Sequence, residues 1–397
     1  MAVDEPVYWD PFEERFITDP YPVYARLREE APLYRNGKHD FYAVSRYEDV
    51  ELGLSDWRTF SSSRGSILEL VQSGIEMPPG TVIFEDPPAH RLHRGLLSRL
   101  FTPKAISALE PRIRELCVRA LDPLAGADRF DMMTALGAEL PMRVIGMLMG
   151  IPEADQEAIR DTTDANLRTR SGERMKVRNA SGLTNEAFAD YINWRREHPS
   201  DDLMTALLTA QYEDEDGERK TLTHQEVLTY VTVVTGAGNE TTGRLISWIT
   251  AVLARHPDQR REIAADLSLV PAAVEEVLRY ETPSPFIARY VTSDVEYYGA
   301  TVPAGSAILF IAGAANRDHR RYPDPDAFDI HRVIRHPLTF GQGLHHCLGA
   351  ALARLEGRVA LEEILRRFPD WDVDWDNAKL AQTSTVRGWE TLPVIVG

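Results

Sequence analysis

Residues 340–354 read FGQGLHHCLGAALAR and place Cys347 at the end of a glycine-spaced loop, just ahead of an Ala- and Leu-rich helical stretch. A thiolate there meets a helix N-terminus. Unpaired N–H groups and the positive end of the macrodipole favour negative sulfur by about 0.3–1 kcal/mol, which biases the side chain towards its metal-binding form. Gly341, Gly343 and Gly349 remove bulk where backbone must lie close to something flat, and they permit positive φ. Phe340 can cover that object. A lone cysteine is otherwise a small buried hydrophobe, a description that suits Cys117 on the apolar side of its helix. Zinc is the rival ion, since His345 and His346 adjoin Cys347 and His331 and His336 lie near. Consecutive residues cannot readily share one tetrahedral ion, however, and there is no CxxC pair.

A second segment, residues 232–249 (TVVTGAGNETTGRLISWI), sets Gly236, Gly238 and Gly243 inside an amphipathic helical pattern. Each glycine costs about 0.8–1 kcal/mol relative to alanine, so something must compensate. A mid-helix hydroxyl such as Thr241 can bond to a carbonyl one turn back and open room for a small polar ligand. Glu240 is the one carboxylate beside it and suits proton relay. Thr242 competes with Thr241 by a one-residue register shift. Close packing through small residues is the plainer explanation of the same glycines.

The elements that must hold these segments follow from periodicity. Leu92, Leu96, Leu97, Leu100, Ile106, Leu109, Ile113 and Leu116 recur at helical spacing, broken where Thr102-Pro103 starts a new helix. The pattern predicts helices over 23–30, after Pro271 and over 350–367, strands over 41–45, 287–291, 295–298 and 307–311, and an exposed loop over 212–220. With no repeat or low-complexity linker, residues 1–397 read as one mainly α domain with a minor β portion. The 397 residues carry a net charge of −17, which argues against nucleic acid and anionic membrane as partners. No apolar run approaches a bilayer span and the start does not resemble a signal peptide, so the expected location is cytoplasmic.

The run Phe340-Gly341-x-Gly343-x-His345-x-Cys347-Leu348-Gly349-x-x-Leu352-Ala353-Arg354 resembles the haem-binding signature of the cytochrome P-450 superfamily, in its bacterial soluble class. The resemblance implies that Cys347 is the axial thiolate to the iron of haem b, a ligand type that favours O–O cleavage. It implies that His345 meets a haem propionate and that Phe340 screens the sulfur. Ala237-Gly238-x-Glu240-Thr241 resembles the family's oxygen-activation motif, which implies proton delivery through Thr241 with Glu240 linked to solvent. Asp86-Pro87-Pro88-Ala89-His90 opens a further family segment, and by the resemblance His90, Arg94 and Arg289 join His345 as propionate partners, with His93 as a shifted competitor for His90. Glu276 and Arg279 resemble the family's buried Glu-Arg network, with Arg332 as the later partner. The fold implied has haem between two long helices.

The activity implied is insertion of one atom of O2 into a C–H bond of an apolar small molecule of terpenoid, steroid or fatty-acid class. Candidate pocket residues lie in 67–83, at Val233, Val234 and Ala237, and in 286–288; Pro283-Ser284-Pro285 stiffens that last wall. A basic cluster at Arg168, Arg170, Arg174, Lys176 and Arg178 could attract a carboxylate-bearing substrate. No flavin or iron–sulfur motif is present, so electrons must come from NAD(P)H through a reductase and a ferredoxin. The basic residues Arg91, Arg94, Arg99, Lys104, Arg112 and Arg114 are the expected docking face for that ferredoxin. An H2O2-driven peroxygenase and a non-catalytic haem ligand-binding protein are the alternatives; the Glu240-Thr241 pair speaks against the first and the absence of an appended signalling domain against the second.

Overall fold

The computed structural model describes residues 6–397 except 79, 168, 170, 171, 176, 178–186, 214–216 and 384. The elements that position the site are helices α1 (Tyr21–Glu30), α2 (Tyr47–Ser55), α3 (Ala89–Ser98), α4 (Glu110–Leu121), α5 (Glu139–Met149), α6 (His224–Arg255), α7 (Val270–Tyr280) and α8 (Ala350–Arg367). Strands β1 (Leu33–Asn36), β2 (Phe41–Val44), β3 (Phe60–Ser61), β6 (Ile287–Val291) and β7 (Ala307–Phe310) form one sheet in the order β1-β2-β7-β6-β3. Only the β2–β7 pair is parallel, and Ile308 of β7 faces Arg289 of β6 in register.

Helix α6 is the axis of the molecule. It runs 32 residues and starts at a capping box, in which Thr223 Oγ1 accepts from the Glu226 N–H (3.2 Å) and Glu226 Oε2 accepts from the Thr223 N–H (2.7 Å). Its glycines explain how tightly it is gripped. A Cβ on Gly238 would lie 2.6 Å from Ile145 Cδ1 of α5, and one on Gly243 would lie 2.5 Å from the carbonyl oxygen of Gly137, in a π-helical segment spanning Met133–Gly137. The close-packing explanation therefore holds for these two positions, and the contacts offset their helix-propensity cost. On another side, Gly357 of α8 would bring a Cβ within 3.4 Å of both Leu245 and Ile249, so α6 and α8 meet there.

An ionic lattice ties α4 to the back of α8. Arg114 donates to Glu362 and Glu363 (2.6 Å each) and to Glu110 (2.8 Å), while Arg358 donates to Glu110 and Glu362. Glu276 and Arg279 are both fully buried and joined at 2.7 Å, and Arg332 reaches Glu276 Oε1 at 3.2 Å, as the sequence led us to expect for that arginine. Arg279 also satisfies the carbonyls of Asn316, Pro325 and Ala327, so this is a stitched core site, and a surface ion pair does not describe it.

Helix α8 and strand β6 fall where the periodicity puts them, and Cys117 is a core residue. The 212–220 loop is a correction. Its described residues form a hairpin, β4 (Gln211–Glu213) with β5 (Arg219–Thr221), because Gly217 supplies positive φ and the pairing leaves the charged side chains in solvent. Among the described residues no single helix is long and apolar enough to cross a membrane.

Candidate active site

The loop before α8 begins at Gly341, whose backbone (φ 69°, ψ −166°) lies in a region open essentially to glycine alone. Gly343 has a packing duty of its own. With φ +70°, it lets the loop pass the end of α2, where a Cβ would stand 2.9 Å from Ser55 Cα. Gly349 has open space where its Cβ would be. The Cys347 N–H donates to the Phe340 carbonyl (2.8 Å), and the Phe340 ring is covered by the Arg354 guanidinium at 4.4 Å. Arg354 is held in turn by Glu275.

Cys347 is accessible yet lies deep in the protein, so its sulfur faces an interior space. Burial pushes its thiol pKa up, and the Gly349 N–H, Arg94 and Arg354 only partly oppose this. The helix-terminus bias expected from sequence is thus outweighed by desolvation, and a positively charged partner is what this position lacks.

Helix α3 delivers His90 and Arg94 to the same loop. The rings of His90 and His345 lie 4.4 Å apart, and Arg94 donates to the His346 carbonyl at 2.6 Å. Both ring nitrogens of His90 and Nε2 of His345 are buried without a hydrogen-bond partner. Burial pushes the His345 pKa down to about 3, helped by Arg289, His90 and Arg94. Arg289 is itself buried, which lowers its pKa to about 10, and beyond the Ala288 carbonyl it meets no carboxylate at ion-pair distance among the described residues. His93, the register competitor, is already engaged with Glu85 (2.7 Å). Asp86 is the acid nearest Arg289, but it is taken up by Ser61 and Ser62, so these four donors, none in an ion pair with a described acid, describe a receptor for a buried dianion.

On α6, Val233, Val234, Ala237 and Thr241 are accessible within a helix otherwise buried on both sides of them. Thr241 Oγ1 donates to the Ala237 carbonyl (2.8 Å), the back-bond its position suggested. Thr242 is buried and faces elsewhere. Glu240 departs from the expectation of a solvent link: it is 7% exposed and its Oε1 accepts from Arg244 Nη2 at 2.9 Å. Sequence reading passed over Arg244, although Glu and Arg four residues apart on a long helix are a recognisable pair.

A family model described as Cytochrome P450 matches residues 170–386. The chain belongs to the cytochrome P450 family. A Mycobacterium tuberculosis (strain H37Rv) protein provisionally named cytochrome P450 123 is 40% identical over 99% of this chain and 98% of its own length. Cytochrome P450 monooxygenase PikC of Streptomyces venezuelae is 35% identical over 96% of this chain and 91% of its own. The solved structure of CYP109E1 from Bacillus megaterium in complex with testosterone superposes with a TM-score of 0.87 at 30% identity, covering 96% of this chain and 99% of that one. This P450 is accordingly a monooxygenase whose cofactor is haem b. Haem b fits the residues present: its two propionates answer the partnerless nitrogens of His90 and His345 and the buried Arg289, and its iron answers a desolvated thiol.

The electrostatic surface narrows one expectation. Arg114 is consumed by Glu110, Glu362 and Glu363, and Arg94 turns inward, so of the basic residues read as a docking face Arg91, Arg99 and Lys104 stand exposed, with Arg112 beside Glu115. Of the cluster read as an anion lure, Arg168, Arg170, Lys176 and Arg178 lie outside the described residues. Arg174 is within them and donates to Gln72 Oε1.

Proposed function

We propose that this P450 hydroxylates an apolar small molecule of terpenoid, steroid or fatty-acid class, drawing electrons from NAD(P)H through a reductase and a ferredoxin. Cys347 holds the iron; His90, Arg94, Arg289 and His345 hold the propionates; Gly341, Gly349 and Phe340 shape the sulfur side, and Ala237 leaves room on the oxygen side. Thiolate-ligated haem, when bound, supplies activation of O2.

The observation that carries this reading is the meeting, around one loop, of an inward-facing cysteine with four donors, none of which is in an ion pair with a described acid. Each remaining role belongs to a side chain of α6 or of the wall beside it. The Thr241 hydroxyl stands at the accessible face of α6 and can exchange its bond to the Ala237 carbonyl for one to a ligand. Glu240 is the nearest acid in sequence and recharges that hydroxyl with protons. Val233, Val234, Phe286 and Ile287 offer apolar surface, and each Å² of it removed from water favours an apolar guest by about 25 cal/mol. Testosterone, bound by the CYP109E1 neighbour, is a guest of that character.

The test begins with haem-loaded protein. Reduced under CO, it should give the thiolate Soret band near 450 nm, and Cys347→His should abolish that band while haem stays bound. Steroids, terpenoids and fatty acids are then titrated for displacement of iron-bound water, and hits are incubated with NADH, ferredoxin and reductase, or with H2O2 alone. Hydroxylated product in the NADH arm supports the proposal. Product in the H2O2 arm alone, or a reduced CO band near 420 nm in native protein, overturns it.

A further inference from the structure

Arg244 is a buried arginine on α6 that takes no part in the haem site described above. It is 6% exposed, and its fork spans two elements: Nη2 donates to Glu240 Oε1 at 2.9 Å, and Nη1 donates to the backbone carbonyl of Trp389, at the start of strand β8 (Trp389–Thr391). The route between them runs across Gly388. A Cβ at that position would lie 2.7 Å from both Cβ and Cδ of Arg244, so the arginine stem passes where any other residue would put a side chain. The same stretch is sewn to α6 twice more. The Trp389 N–H donates to Ser247 Oγ (3.3 Å), and Trp248 Nε1 donates to the Arg387 carbonyl (2.9 Å).

An arginine anchored at both ends does something a lone helical ion pair cannot. An exposed pair four residues apart is worth only about 0.3–0.5 kcal/mol and leaves both partners mobile. Here the carboxylate is buried, its partner's other nitrogen is fixed to backbone, and the planar fork dictates where the Glu240 oxygen lies. Glu240 immediately precedes Thr241, whose hydroxyl faces the accessible side of the helix.

We propose that Arg244 is a positioning residue for Glu240, and that the Gly388-Trp389 segment sets its place. The claim rests on the proposed role of Glu240 as the acid serving Thr241. Arg244 holds the Glu240 carboxyl in one place between turnovers. A proton that Glu240 takes up passes on to the Thr241 hydroxyl, and Glu240 returns to its ion pair, so charge balances over the cycle. Loosening the arginine, whether at its own position or by a methyl group at Gly388, leaves the acid misdirected while haem and substrate still bind.

Five proteins test this in haem-loaded form: the parent, Glu240→Gln, Arg244→Met, Arg244→Lys and Gly388→Ala. The readouts are product formed per NADH, H2O2 released and the solvent isotope effect on turnover. We expect Arg244→Met and Gly388→Ala to cut product per NADH about tenfold or more and to raise H2O2, with an unchanged CO spectrum and substrate binding, and Arg244→Lys to recover only part. Glu240→Gln uncoupling while Arg244→Met and Gly388→Ala do not would overturn the positioning role alone. An unaltered Glu240→Gln would overturn the reading beneath it.

Discussion

His90 and His345 stand ring to ring, 4.4 Å between centroids, with three of their four ring nitrogens buried and unbonded. Two imidazoles from elements some 250 residues apart gain nothing from such a contact by themselves, since both are desolvated beside Arg289 and Arg94. The pair makes sense as one half of a contact completed by carboxylates.

Replacing either histidine by alanine should therefore speed haem release. A hydrogen bond to a charged partner is worth about 1.5–3 kcal/mol, so each variant should lose haem to excess apomyoglobin about ten- to a hundredfold faster, and Arg289→Ala at least as fast. Release at the parent rate from all three would mean that the propionates lie elsewhere.

Glu276→Gln should damage the fold far more than the usual surface ion pair. It leaves the buried Arg279 and the half-buried Arg332 without their acid, and breaking a buried pair costs about 3–5 kcal/mol. Urea unfolding of the haem-loaded protein measures it; a loss under about 1 kcal/mol would contradict the buried network.

Glu356 offers a pH test with the opposite sign to most carboxylates. Buried in α8, it has its pKa raised to about 8 by desolvation, whereas unfolded chain holds it near the ordinary Glu value. Between those values the folded state keeps a proton that the unfolded state has released, so stability is fully present below about pH 4.5 and falls as pH rises towards 8, by up to about 1.4 kcal/mol for each pH step. Glu356→Gln should flatten that decline. Parallel pH curves for the two proteins would refute it.

Reversing charge at Arg91, Arg99 and Lys104 should slow electron transfer from an acidic ferredoxin at low salt and have little effect at high salt, where the screening length shrinks to a few ångströms. Arg114→Ala should leave that rate unchanged and lower stability instead, because its guanidinium is bound to α8. Stopped-flow reduction across an ionic-strength series separates the two.

What sequence could and could not foretell divides along range of interaction. The helix 350–367 and the strand 287–291 were readable because their periodicity and their Gly and Pro boundaries are local. The Cys347 loop was readable through a long motif. By contrast Arg114 was read as free surface charge, since Glu362 and Glu363 lie 248 and 249 residues away in the chain. The packing of Gly343 on the end of α2 was out of reach for the same reason: Ser55 is distant in sequence. The β4–β5 hairpin was missed because five of its six residues are polar or charged, so no alternation of apolar residues announces a strand. Thiol desolvation at Cys347 and the Arg244 anchor needed the packed protein to become visible.

The backbone contact between Gly243 and Gly137 bears on how this enzyme could be toughened. Exchanging helical glycines for alanine is an ordinary route to heat resistance, because it trims the freedom of the unfolded chain. At position 243 the added methyl would act as a wedge, driving the central rod off its bed at the level of Thr241, so gains in thermal tolerance are better sought among the outer helices.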